Sequence, residues 1–200
     1  VEPADEAESW LELAEASTDH FVRHAMFAVH DEMPRVADDP DRPVYHFRPP
    51  ARWMDDANGF IHHKEFYHVF YQFNPYSDEV GERFTVWGHA RSRDLVHWEH
   101  LPVALTAPPG VARINSGCTA IDERGRAMAF VPAVFDATGA LARPGLTREI
   151  WAATSDETMV EWQYLEDPIM APGTHGGPDY EKWDAPYIFQ HNGRKLMLLS

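Results

Sequence analysis

One cysteine in 200 residues, Cys118, leaves no intrachain disulfide to form. There is no Asn-x-Ser/Thr sequon, and no apolar run approaches the roughly 20 residues that cross a bilayer as a helix. The opening stretch, VEPADEAESW, lacks the basic and apolar parts of a secretory leader, so the expected compartment is the cytoplasm. Cations are scarce: 17 Lys and Arg stand against 32 Asp and Glu, for a formal net charge of −15. Such a surface repels phosphates and anionic lipid, which argues against nucleic acid and membranes as partners. It suits a neutral or cationic ligand.

Aromatic residues are plentiful, with 7 Trp, 7 Tyr and 11 Phe. Flat apolar side chains in that number suit a sugar-binding cleft. Glycine and proline are missing from residues 5–33. There Trp10, Leu11, Leu13, Ala14, Phe21, Val22, Ala25, Met26 and Val29 recur at three and four spacing, which predicts an amphipathic helix. Ser17-Thr18-Asp19 is a natural break and a cap for a second helix. Residues 34–50, rich in proline and aspartate, read as a linker. Residues 1–50 are therefore expected to form a helical N-terminal extension, placed on the surface of the following domain, at a subunit contact in a homo-oligomer, or as a lid over a site.

From Ala51 onward the texture changes to short apolar runs between turn signals. FYHVFYQF (66–73), TVWGHARS (85–92), RAMAFVPAVF (126–135), EIWAATS (149–155) and RKLMLLS (194–200) all read as strands. The domain is thus expected to be all-β. It also repeats. ARSRDLVHWEHL (90–101) parallels ATSDETMVEWQYL (153–165), and Trp162 follows Trp98 by 64 residues. DANGFIHHKEFYHVFYQ (56–72) parallels DAPYIFQHNGRKLMLLS (184–200), and Asp184 follows Asp56 by 128 residues, twice that period. CTAIDERGRAMAFVPA (118–133) supplies the same strand-turn-strand pattern between them. A four-stranded unit of this length fits a β-propeller blade, and blade symmetry would bring Asp56 and Asp184 to one central funnel. Residues 51–200 hold little more than two periods, fewer than a closed propeller needs. They are expected to be part of a larger protein.

The motifs themselves resemble family 32 glycoside hydrolases, the invertases, inulinases and levanases. WMDDANGF (53–60) is similar to that family's Trp-Met-Asn-Asp-Pro-Asn-Gly signature. VFYQFNP (69–75) and WGHARSRDLVHWEHLPVAL (87–105) resemble the motifs that follow it, NSGCTAID (115–122) its Phe-Ser-Gly-Ser segment, and KWDAPYIF (182–189) its Arg-Asp-Pro segment. The resemblance runs from residue 45 to residue 200. It implies a five-bladed propeller of which this chain covers the first two to three blades. It also implies a retaining β-fructofuranosidase acting on sucrose or on inulin- or levan-type fructans through a covalent fructosyl-Asp intermediate, with transfer to sugars an open possibility. Asp56 matches the family's nucleophile and Asp184 its transition-state stabiliser. The acid/base glutamate belongs to a Glu-Cys motif absent from these residues, and is expected beyond residue 200.

That chemistry asks for specific neighbours. A retaining glycosidase needs one ionised carboxylate beside one protonated carboxyl. Asn58 and the N–H groups of an Asn-Gly turn are placed to hydrogen-bond Asp56. Trp53, Trp87 and Trp183 are candidate sugar contacts, with Trp53 and Trp87 as readily blade core as site wall. Gln72, Ser116 and Asp184 are candidate partners for sugar hydroxyls. Asp55, on an alternating strand, is expected to point away from Asp56. No cofactor or metal is expected: His62, His63 and His68 fall on strand and turn positions, and Cys118 reads as a small buried residue. Departures from the family text gather near the sugar. Asp55 stands for Asn, Asn115 for Phe, Trp183 for Arg, and Ala57 and Ala185 for prolines. They keep two alternatives open, a propeller glycosidase for another furanoside such as an arabinoside, and a non-catalytic sugar-binding propeller.

Overall fold

The computed structural model describes residues 3–43, 45–79, 84–135, 148–172 and 183–200. Three helices come first: α1 (Pro3–Ala16), α2 (His20–His30) and α3 (Met33–Ala37). The break between α1 and α2 falls at Ser17–Asp19. Asp19 has extended backbone (φ −77°, ψ 119°), and its carboxylate accepts from the N–H groups of Phe21 (2.8 Å) and Val22 (3.0 Å). That satisfies donors the helix cannot pair itself, for about 1 kcal/mol. Val22, Ala25, Met26 and Val29 then fall on one buried stripe. The expected linker is partly wrong: α3 occupies its start and buries Met33, because the proline at its first turn is compatible with a helix.

The first sheet is a simple meander of β1 (Trp53–His63), β2 (Phe66–Asn74), β3 (Val86–Ser92) and β4 (Trp98–Leu105), all antiparallel. In the second, β7 (Ala127–Val134), β8 (Arg148–Ser155) and β9 (Trp162–Tyr164) follow one another. The innermost position is shared by two short strands. β5 (Arg113–Ile114) pairs with one end of β7 and β6 (Cys118–Ile121) with the other, leaving Asn115–Gly117 as a break between them. A third unit begins with the hairpin of β10 (Tyr187–His191) and β11 (Arg194–Leu198). β6 touches both β1 and β10, so the three innermost strands are neighbours. Trp98 and Trp162 each open the fourth strand of a sheet, as the 64-residue repeat requires.

Two cores hold this arrangement. Trp10, Ala14, Val22, Ala25, Met26, Val29 and Met33 pack onto Tyr71, Phe73, Val86 and Val103 of the first sheet. The helices are therefore fixed to the first blade, where most of their stripe is buried, while Phe21 is 70% exposed. Burying each large side chain contributes about 1.5–3 kcal/mol. Trp10 also donates its indole N–H to the Met26 carbonyl at 2.8 Å, joining α1 to α2. The second core lies between the sheets, where Phe70, Trp87 and Leu105 meet Ala127, Ala129, Val131 and Ala153. Alanines on β7 and β8 leave room for the aromatics of blade 1. Among the described residues no helix is long and apolar enough to cross a membrane.

Candidate active site

The Asp55-Asp56 pair lies inside β1, at a fault in its register. Met54 pairs with Phe73 and Ala57 with Tyr71, so Asp55 and Asp56 together oppose Gln72. That is a β-bulge, which bends the strand and re-aims its side chains. Strict alternation cannot be assumed across it, and both residues are exposed. Asn58-Gly59 is likewise not a turn. It lies within the same eleven-residue strand, with Gly59 at φ 58° next to a second register fault. Pairing with β2 has overridden local turn chemistry.

The carboxylate of Asp56 finds its partner on the second blade. Ser116 Oγ donates to Asp56 Oδ2 at 2.9 Å and accepts from Gln72 Nε2 at 2.6 Å. Asn58, expected to hold this carboxylate, instead donates Nδ2 to the backbone oxygen of Asp56 at 3.3 Å. It therefore shapes the bulge and leaves the carboxylate to Ser116. Gln72 opposes the bulge on β2 and pairs with Trp87 on β3, so its amide is delivered from a regular strand.

Asp184 sits just ahead of β10. Its N–H bonds the Ser200 carbonyl (3.2 Å) and its carbonyl accepts from the Ser200 N–H (3.1 Å), extending the hairpin by one rung. Its Oδ1 accepts from the Ala185 N–H at 3.1 Å, Asn115 Nδ2 lies 3.5 Å from both oxygens, and Arg148 Nη1 forms an ion pair with Oδ2. Asn115 and Ser116 are adjacent, so one dipeptide bridges the two carboxylates that lie 128 residues apart. The break in the innermost strand makes this possible. Gly117 brings the backbone against β7, where a Cβ would lie only 1.9 Å from the Phe130 carbonyl oxygen.

The tryptophans divide. Trp53 is half-buried at the head of β1. Trp87 is 0% exposed in the inter-blade core, so it is not a wall of the site. Its role is indirect, since its indole N–H holds the Asn115 carbonyl at 3.0 Å. Trp183 retains only 6% exposure and is also a buried residue rather than an open sugar platform. Cys118, buried beside Ser116 and Gly117, has its thiol pushed up to about 11 by that burial, which removes it as a nucleophile. His68 and His89 share one hydrogen bond at 3.0 Å between blade-1 strands. Among the described residues no three His, Cys, Asp or Glu side chains converge as a metal would need.

Arg148 is the residue that sequence reasoning missed. It opens β8 in the run TREI, where nothing local marks it. The one signal in the sequence is Trp183, standing where the family text has arginine. A groove of about 800 Å³ lies apart from all of this, between the α1–α2 junction and the outer strands, lined by Leu13, Ser17, Val22, Thr106, Trp162 and Tyr164 among others. None of Asp56, Gln72, Ser116, Arg148 or Asp184 borders it. The bridged carboxylates, and not this groove, form the candidate site.

Residues 46–200 match the family model described as the glycosyl hydrolases family 32 N-terminal domain. The levanase of Bacillus subtilis (strain 168) is 49% identical over 86 residues, covering 43% of this chain and 12% of the levanase. Beta-fructofuranosidase 1 of Zea mays is 37% identical over 144 residues, covering 68% of this chain and 20% of that protein. A solved structure of a Bombyx mori GH32 beta-fructofuranosidase, a mutant in complex with sucrose, matches with a TM-score of 0.74 at 25% identity, over 92% of this chain and 37% of that one. The chain spans well under half the length of these relatives. Its blades correspond to the N-terminal part of a five-bladed β-propeller.

Proposed function

Because the chain belongs to glycosyl hydrolase family 32, we propose that it supplies two of the three carboxyl groups of a retaining β-fructofuranosidase acting on sucrose or fructans. The observation that carries this reading is the bridge from Asp56 through Ser116 and Asn115 to Asp184. Asp56 is the nucleophile. Its carboxylate attacks the anomeric carbon of the fructosyl unit, a C–O ester bond forms as the glycosidic bond breaks, and the leaving oxygen takes a proton from a general acid. Water then cleaves the ester, with the same acid now acting as base. That group is a glutamate of the Glu-Cys motif, which these 200 residues do not contain.

The neighbours have distinct tasks. Ser116, itself oriented by Gln72, fixes one oxygen of Asp56 and leaves the other for attack. Asp184 accepts hydrogen bonds from sugar hydroxyls, and these strengthen as the ring becomes oxocarbenium-like. Trp53, half-buried at the head of β1, offers apolar surface to the sugar. In the intact enzyme, Asp56→Asn should lower fructose release from sucrose, inulin and levan by at least about a thousandfold, as loss of a nucleophile does. A variant that keeps most of its turnover would overturn the assignment. The substrate panel should include an aryl arabinofuranoside. Asn115, Arg148 and Trp183 alter the surroundings of Asp184, and a preference for the arabinoside would redirect the reading to that substrate class.

A further inference from the structure

Asp184 stands outside the regular ladder of its hairpin, held at the backbone by a single rung to Ser200. Among the described residues beside it, Trp183 is buried and uncharged and Ala185 is apolar. A positive charge comes from the neighbouring blade. Arg148 is the first residue of β8 and pairs with Val134 of β7 in a register that runs unbroken to Ala127. Its guanidinium meets Asp184 Oδ2, while Ala185 N–H takes Oδ1 and the Asn115 amide lies near both. The side chains are 20% and 30% exposed, so the pair is partly desolvated. An ion pair there constrains geometry more than a surface pair does.

We propose that Arg148 is the positioning residue for Asp184, a cation delivered by a rigid strand of the second blade to orient the sugar-holding carboxylate of the third. The inference rests on the functional reading above. Arg148 has no contact with substrate in this role. It fixes the plane of the carboxylate so that both oxygens present lone pairs to the sugar, and Asn115 acts from the same side. These two residues stand in for the arginine and phenylalanine missing from the Asp184 and Ser116 segments. The design couples two blades: a shift of β8 moves Asp184 relative to Asp56.

The test uses the intact enzyme with sucrose as substrate. Arg148→Ala should lower kcat/KM by about a hundredfold, the scale of a misplacement of about 1 Å at a reacting group. Arg148→Lys should recover part of that loss, because it restores the charge without the fork. Guanidinium added at a non-denaturing concentration should also raise the activity of Arg148→Ala, a response that a merely structural role would not give. Retention of kcat/KM within about threefold in Arg148→Ala would overturn the proposal, on the same scale. So would a loss that neither lysine nor guanidinium reverses. Asp56→Asn is assayed in parallel. If that enzyme stays active, the functional reading falls and this inference falls with it; if it is inactive while Arg148→Ala is unimpaired, only the positioning role is wrong.

Discussion

Replacing Gly117 by alanine would put a methyl carbon 1.9 Å from the backbone oxygen of Phe130 and 3.2 Å from Cζ2 of Trp87. Ordinary contact begins at 3.4 Å, so some group must move by roughly 1.5 Å in an interior that has little slack. Phe130 is poorly able to yield, because it pairs with Cys118 on one side and Ala152 on the other. Trp87 is fully enclosed. The segment that yields is Asn115–Gly117, the break between β5 and β6. Ser116 and Asn115 move with it, and they carry the contacts to Asp56 and Asp184. A misplacement of about 1 Å costs roughly a hundredfold in rate, and overpacking costs about 1–3 kcal/mol of stability. Gly117→Ala should therefore lower kcat/KM on sucrose about a hundredfold, with a modest drop in the urea midpoint. Gly125→Ala is the control. An added carbon there meets nothing within 4 Å, and its φ of 80° costs only local strain of about 1 kcal/mol. A Gly117→Ala enzyme with kcat/KM within about threefold of the parent would refute the claim that this break positions the site.

Asp55→Asn should be far milder than Asp56→Asn in sucrose hydrolysis, because only Asp56 is the carboxylate held by Ser116; if Asp55→Asn were the more damaging, the nucleophile would be the wrong member of the pair. Trp10→Ala should cost about 3–5 kcal/mol in urea unfolding, since Trp10 is 2% exposed and joins α1 to α2 through Met26; a loss below about 1 kcal/mol would mean that the helices do not share the blade's core. Acid should weaken the fold through its buried histidines. Burial holds His68 at about 4, His100 at about 3 and His89 well below its ordinary value. Their contribution is complete above the unfolded value of about 6.5 and is lost as pH falls towards those folded values, by up to about 1.4 kcal/mol per pH unit for each histidine kept neutral. Urea midpoints at pH 7 and pH 5 measure it, and His100→Phe should flatten the slope; an unchanged slope would show that the carboxylates alone set it.

The parts of this molecule that were legible in the sequence are those that a physical rule repeats. Every blade must build the same strands in the same order, so Trp98 and Trp162 return at a fixed interval, each opening the fourth strand of its sheet. An amphipathic helix must cap its first turn, so Asp19 marks the start of α2. The illegible parts are those where long-range pairing overrides a local preference. Asn58-Gly59 has turn chemistry, yet β2 pulls it into a strand. Asp55 and Asp56 should each take a place in the ladder, yet a bulge sets both opposite Gln72. Trp87 reads equally well as wall or core until the alanines of β7 and β8 close over it.

These exceptions share a location, and there is a reason for it. A strand with complete ladder pairing has no freedom to aim a side chain anywhere except straight up or down from its sheet. A site at a propeller axis needs side chains aimed sideways, towards neighbouring blades. Pairing must therefore be relaxed where the chemistry is done. In blade 1 the relaxation is the bulge at Asp55–Asp56, ahead of the β1–β2 hairpin. In blade 2 it is the gap at Asn115–Gly117, ahead of the β6–β7 hairpin. In the third unit it is Asp184, left outside β10 ahead of the β10–β11 hairpin. All three interruptions occupy the N-terminal end of an innermost strand, and a hydrogen bond crosses from each to the next. The 64-residue period reveals the scaffold, and these three interruptions in it place Asp56 and Asp184 within hydrogen-bond reach of the Asn115-Ser116 bridge.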